Sequence, residues 1–286
     1  MLIIVGLVVV IGSVVVGFLM AGGHLLVLLQ WAEFVVIGGA VFGSMLISAP
    51  MSVIKKLFAS IPKAIGHKHE TKEDFLELLK SFYELFLVSQ RDGLLAIEKH
   101  IENPEESEVL SVNKKLLKNK IAMTYFTDTL KVMLSGGVPP HEIESLMETE
   151  IETFEMESKP VVHLITKVGD ALPGLGIVAA VLGIIVTMGS INAGAEAVGH
   201  HVAAARVGTF LGVLMAYGFV GPFAANLEHL IENEVRYLET IKAAVVAYAK
   251  GNPPIVAVEI ARRTIFSDER PTFSELENYL RGKKED

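Results

Sequence analysis

Cysteine is absent from this 286-residue chain, which excludes disulfide frameworks, thiolate metal sites and cysteine nucleophiles. Charge is scarce over two long stretches. Counting Asp, Glu, Lys and Arg, residues 1–50 hold one, Glu33, and residues 171–227 hold two, Glu196 and Arg206. A solvated surface cannot be built from such segments. Runs of Lys and Arg that could pair with phosphates are also lacking, and the polar blocks 51–170 and 228–286 are both net acidic, so nucleic acid is not an expected partner. Neither block contains a P-loop, a dinucleotide fingerprint, an HExxH pair or a nucleophile elbow, and nothing in them supports an enzyme, a metal centre or a cofactor.

What the chain does have is apolar length. Each of the two charge-poor stretches accommodates two segments of about 20 apolar residues, enough to cross a bilayer core. The expected spans are about 1–20, 32–49, 172–191 and 203–227. The first starts without a basic leader or a cleavage site and reads as an uncleaved anchor. The short connections at 21–31 and 192–202 carry no Lys or Arg, whereas 51–170 and 228–286 carry nearly all of them, which places both polar blocks and both chain termini in the cytoplasm.

The 51–170 block has helical periodicity. Phe75, Leu78, Leu79, Phe82, Leu85 and Phe86 recur at three- and four-residue spacing, and Leu116, Ile121, Tyr125, Leu130 and Met133 do so more loosely. Gly136-Gly137 and Pro139-Pro140 break the pattern, and an acidic helix, HEIESLMETEIETFEMES, then leads back to the membrane. In the 228–286 tail a helix continues from span four, breaks at Gly251-Asn252-Pro253-Pro254, and is followed by a short helix with capping-box spacing at Thr272 and Glu275. The expected class is therefore all-α: a polytopic membrane protein of four transmembrane helices (1–50 and 171–227), a large helical cytoplasmic domain (51–170) and a cytoplasmic helical tail (228–286).

Ionisable groups inside a bilayer usually mark an ion path, and here none falls at mid-depth. Glu33 lies near the outer end of span two, Asp170 at the inner end of span three, and Arg206 in the first turns of span four. Spans three and four are nonetheless rich in glycine and alanine, with hydroxyls at Thr187 and Thr209, and with Tyr217. Small residues pack helices in lipid. Pro173 and Pro222 each leave a carbonyl unbonded, that of Gly169 and that of Gly218, and so permit bends at matching depth. A cation path along these spans needs its protonatable group from a second chain carrying an intramembrane Asp or Glu.

Five blocks resemble the MotA family of flagellar motor stator subunits, within the MotA/TolQ/ExbB proton channel group: LMAGGHLLVLLQWAEFVVIGGA, IEKHIENPEES, VGDALPGLGIVAAVLG, VGTFLGVLMAYGFVGP and NPPIVAVEIARRTIFSDERPTFSELE. They occur in order and cover nearly the whole chain. Relatives of the ExbB and TolQ kind share the span-three and span-four pattern but have three spans. The resemblance implies a multi-pass subunit of the bacterial inner membrane, assembled as a homo-oligomeric ring, a pentamer, around a MotB-like partner. That single-span partner supplies a transmembrane Asp, and the ring turns against a FliG-like rotor protein during motility. One charge crossing ~150 mV releases roughly 3.5 kcal/mol, enough to break and remake a few rim contacts of about 0.2–1 kcal/mol each.

Carried over residue by residue, Glu98 matches the family's rotor-contact acid. The family's arginine position holds Gln90, with Arg91 beside it. Arg91 and Glu98 are seven apart and would share one face of a helix. Pro173 and Pro222 match the prolines that couple ion binding to shape change, and Gly176, Ala180, Thr209 and Tyr217 fall along the ion path. Sodium-driven relatives carry threonine at the place of Ala180; alanine offers a hard cation no oxygen, which favours H+ over Na+. Arg206 either snorkels to the surface or repels cations at the entrance. His200-His201 beside Glu196 read as polar loop residues. Two rival readings stay open: an energy-transducing channel subunit of the ExbB and TolQ kind, and a membrane-anchored cytoplasmic scaffold.

Overall fold

The computed structural model describes residues 2–66, 70–189 and 206–282, and no β-strand occurs among them. Helices α1 (Leu2–Met20), α2 (Trp31–Ser48), α3 (Met51–Gly66), α4 (Lys72–Asp92), α5 (Glu98–Glu102), α6 (Lys114–Lys118), α7 (Lys120–Ser135) and α8 (Pro140–Gly189) are followed by a helical stretch, Arg206–Ala249, denoted α9. Two further helices, α10 (Pro254–Arg262) and α11 (Phe273–Leu280), complete the order. Four helices are long and apolar enough to cross a bilayer, and these are α1, α2 with the 3₁₀ turn before it, α8 and α9. The protein is thus all-α with four candidate spans, as its charge distribution requires.

The chain divides into two compact units, each assembled from separate parts of the sequence. One comprises Met1–His67 and Glu157–Leu230, and the other Lys68–Met156 and Ile231–Asp286. The tail from Ile231 onward therefore belongs to the same unit as the Lys68–Met156 part of the first large polar block.

In the first unit, α1 and α2 are joined by a tight connection in which Gly22 adopts φ 80° and a 3₁₀ turn spans Leu25–Leu28. The apolar faces of α1 are left outward, and Val5, Val8, Val9 and Val16 are all exposed, as a lipid-facing helix requires. A small core is formed by Ile37 of α2, Leu172 and Ala179 of α8, and Ala216 of α9. The acidic helix expected after Pro140 and the third span are one continuous helix, α8, which runs through Pro160 and Pro173.

Large side chains build the second unit. Phe75, Leu78, Leu79, Phe82, Leu85 and Phe86 of α4 are all buried, so the sequence periodicity marks the true core face. They pack with Tyr125, Phe126 and Leu130 of α7, Ile143 and Met147 of α8, Tyr237 and Ile241 of α9, and Ala257, Val258 and Ala261 of α10. The looser pattern fails at Ile121, which is exposed because Asn119 ends α6, caps α7 through a 3.1 Å bond from the Ala122 N–H and so resets the register. The Phe86 and Tyr248 rings stack at 4.2 Å. Acidic residues of α8 are partly explained by lysines of α9: Glu144 meets Lys250 at 2.6 Å, and Glu148 and Glu239 flank Lys242. Thr272 and Glu275 form the expected capping box on α11, and Thr71 with Asp74 forms another on α4.

Candidate functional site

Three glycines bring α8 and α9 together. A methyl group built on Gly176 would lie 2.7 Å from the Gly208 carbonyl oxygen and 3.1 Å from the Gly212 Cα, and one built on Gly212 would lie 2.5 Å from the Leu172 carbonyl oxygen. Backbone lies against backbone there, which only glycine permits. Gly176, expected along the ion path, is buried at this helix contact. Ala180 and Thr209 stand partly exposed beside it, and Pro173 is likewise partly exposed. Tyr217 projects outward at 74% exposure.

The two prolines differ in their effect on the backbone. At Pro173 the α-helix continues. Before Pro222, α9 switches to a π-helical turn over Met215–Val220, which absorbs the carbonyl that the proline ring displaces. Among the described residues of the two spans, the departure from α-helical hydrogen bonding thus falls in α9.

One membrane residue acquires a setting that the sequence did not suggest. Glu33, in the first turn of α2, is 7% exposed, and its Oε2 has no hydrogen-bond partner among the described residues. That oxygen occupies the space where a Cβ of Gly208 would stand, and the same space is bordered by Ala179 and the Ala180 amide of α8. A carboxyl from α2 thus closes on the α8–α9 contact beside Ala180. The signal that the sequence did offer was a lone acid in an otherwise uncharged 50-residue stretch. Arg206 is exposed at the start of α9, while Glu196, His200 and His201 lie outside the described residues.

In the second unit, Gln90, Arg91 and Glu98 are all exposed. Arg91 and Glu98 do not share a helix face: α4 ends at Asp92, Gly93 takes φ 91°, a 3₁₀ turn covers Leu94–Ile97, and Glu98 opens α5. Glycine at a positive φ ends the helix and cancels the seven-residue argument. Arg91 instead grips Asp92 through Nε and a terminal nitrogen at 2.7–3.1 Å. This hydrogen bonding holds the Asp92 carboxyl below its usual range, with Lys99 contributing through space. Gln90 and Arg91 border an open groove of about 560 Å³ with Glu84, Leu87, Val88, Glu108 and Val109.

Beneath Glu98 the loop is pinned by His100. Its Nδ1 lies 2.8 Å from Ser107 Oγ, which also accepts the Leu110 N–H at 3.0 Å and the Val109 N–H at 3.3 Å. Burial lowers the His100 pKa below its ordinary 6.5; Lys99 adds to this and Glu108 opposes it.

Apolar helices joined by glycine contacts define a polytopic membrane subunit, and a family profile described as the MotA/TolQ/ExbB proton channel family matches residues 113–240. A second profile, Motility protein A N-terminal, matches residues 4–93. Motility protein A of Salmonella typhimurium strain LT2 is 39% identical over 282 residues, covering 99% of this chain and 96% of its own. The Escherichia coli K12 protein of that name is 38% identical over the same shares, and chemotaxis protein LafT of Vibrio parahaemolyticus is 34% identical over 92% of this chain and 93% of its own. The chain belongs to the motility protein A family of flagellar motor stator subunits, a membrane channel family and not an enzyme family. Among solved structures, the flagellar MotAB stator complex of Bacillus subtilis contains a chain 26% identical with a TM-score of 0.72, covering 90% of this chain and 92% of that one. A chain of C. jejuni MotAB shares the fold at a TM-score of 0.78 and 22% identity, over 95% of this chain and 98% of that one.

Proposed function

We propose that this subunit sits in the bacterial inner membrane with both termini cytoplasmic and couples cation flow to torque. It forms a pentameric ring around a MotB-like single-span protein, and the related MotAB stator complex of Bacillus subtilis supports assembly with such a partner. Residues 1–50 and 171–227 form the membrane part, 51–170 the cytoplasmic domain and 228–286 its tail. The observation that carries this reading is a shortage: residues 171–189 and 206–227 contain no Asp or Glu, and the carboxyl that reaches them among the described residues, that of Glu33, comes from the first turn of α2 and is packed against Gly208 and Ala180 in the α8–α9 contact. A path beside Ala180, Thr209, Gly176 and Tyr217 therefore takes its protonatable group from the partner's transmembrane Asp. Ala180 offers no side-chain oxygen to a dehydrated cation, and H+ is the ion proposed in preference to Na+.

Pro173 and Pro222 convert ion occupancy into movement of the ring, with the π turn beside Pro222 supplying backbone that can be rewound. Gln90, Arg91 and Glu98 press on a FliG-like rotor protein. Replacing Pro222 with alanine should abolish swimming while membrane insertion stays normal, and retained swimming would favour a scaffold. Reversing Glu98 to Lys should impair torque and be rescued by a complementary reversal on the rotor protein. Swimming speed that tracks sodium at fixed pH would overturn the proton assignment.

A further inference from the structure

The groove beside Gln90 and Arg91 has two walls of different make. One is α4, which supplies Glu84, Leu87 and Val88 together with Gln90 and Arg91. The other is Glu108 and Val109, from the stretch between α5 and α6 that belongs to no helix. Backbone donors of that second wall converge on one hydroxyl. Ser107, 4% exposed, accepts the Val109 and Leu110 N–H groups on its Oγ at 3.3 and 3.0 Å, and the same oxygen lies 2.8 Å from Nδ1 of the buried His100.

A serine hydroxyl has one proton and two lone pairs. Both lone pairs are taken by backbone N–H groups, so the proton goes to His100 Nδ1, and the ring is the neutral form with its own proton on Nε2. Protonation of Nδ1 would set a third donor against an oxygen with two lone pairs. One backbone N–H must then lose its acceptor. The Leu110 bond is buried and the shorter of the two, and an unmet buried donor is costly, so the longer Val109 bond in the groove wall is the one that yields.

The surroundings leave this proton to the ring. Lys99 of α5 disfavours a charged His100 and Glu108 of the groove wall favours it, both through space. Glu98 and Glu102 on the same helix, and Glu105 and Glu106 in the following stretch, are exposed. The 3₁₀ turn packed on α5 carries no ionisable residue. Helix α7, also packed on α5, carries Tyr125, whose hydroxyl donates to the Met147 carbonyl at 3.2 Å, and exposed Lys120, Asp128 and Lys131, the last two paired at 3.0 Å. At the end of α4, Arg91 and Asp92 hold each other. With burial opposing its charge, His100 titrates below its ordinary 6.5.

We propose that His100 is a pH latch on the rotor-facing groove: neutral, it keeps the Glu108–Val109 wall in place, and protonated, it frees that wall and weakens the grip on the rotor protein. The ring takes one proton from the cytoplasm at Nδ1 and returns it as pH rises. The effect on the rotor rests on the reading of Gln90 and Arg91 as rotor contacts; the latch itself does not.

Because the chain has no cysteine, Glu106→Cys creates a single spin-label site at an exposed residue next to Ser107. In the full complex with a cysteine-free partner, the label should tumble several-fold faster as pH falls below 6.5. His100→Asn keeps an acceptor near the Nδ1 position and cannot titrate, so its label should stay slow throughout. Ser107→Ala removes the shared acceptor, so its label should be fast even near neutrality. In cells whose cytoplasm is acidified by a permeant weak acid, torque should fall several-fold further with the parent chain than with His100→Asn, and the two should be equal near neutrality. A parent label that ignores pH, one that responds equally in His100→Asn, or a slow label in Ser107→Ala would overturn the latch and leave the rotor reading untouched. A label that responds as expected while torque falls equally in both chains would overturn the link to the rotor, and with it the place of this groove in rotor contact.

Discussion

The two units hold together by opposite means. In the unit of Lys68–Met156 and Ile231–Asp286, Phe82, Phe86, Tyr125, Phe126 and Tyr237 are almost wholly buried, and stability rests on the volume of large side chains. In the unit of Met1–His67 and Glu157–Leu230, the closest approach of α8 and α9 depends on Gly176, Gly208 and Gly212. Water drives the first arrangement, because burying aromatic surface removes it from solvent. Lipid offers no such gain, so helices in it associate by fitting their backbones together. Tolerance to mutation should be inverted between the two: loss of volume harms one, and gain of volume harms the other.

The largest effect expected from that contrast is Phe86→Ala, which removes a ring stacked on Tyr248 and should cost about 3–5 kcal/mol. Hydrogen exchange of the α4 and α7 amides in the full-length protein should accelerate by two orders of magnitude or more. Phe42→Ala in α2, where the ring is exposed, should leave the first unit's exchange nearly unchanged. A comparable loss at both positions would break the comparison.

Next in size is Gly212→Ala. Its added methyl meets the backbone at Leu172 and Gly176, which cannot rotate away, so a cost of about 1–3 kcal/mol and loss of swimming follow. Gly137→Ala would add the same atom where nothing lies within 4 Å; the cost there is only that of φ 79°, and swimming should persist. Equal motility defects from both substitutions would show that volume at the α8–α9 contact is not what matters.

The smallest effect concerns pH. Because the pKa of His100 is depressed in the folded protein, the unfolded chain binds the extra proton first. The histidine's contribution is present above about pH 6.5 and is lost as pH falls below it. Amides of residues 107–110 should lose protection on acidification, and His100→Gln should flatten that dependence. Unchanged pH dependence in the variant would move the effect to another group.

Much of this could be read along the chain. Four spans follow from charge-poor segments, since a bilayer rejects charge wherever it falls and demands helix for every unpaired backbone group. The α4 core face and the Thr272 cap follow from spacings within a single helix, and the five family blocks follow from residue identity. The Arg91–Glu98 face did not survive, because the heptad rule presupposes a helix that Gly93 ends. The loose register around Ile121 failed at the Asn119 cap for the same reason.

Burial in lipid, helix periodicity and caps depend on residues close in sequence, so sequence alone determined the spans, the core face of α4 and the family. Tertiary structure alone decided which distant segments meet. It set the carboxyl of Glu33 against Gly208 and Ala180, joined the tail to the 68–156 block, and placed Glu144 and Glu148 beside Lys250 and Lys242. Each of those contacts joins residues about a hundred or more positions apart, and no local spacing encodes a distance that only the closed chain defines.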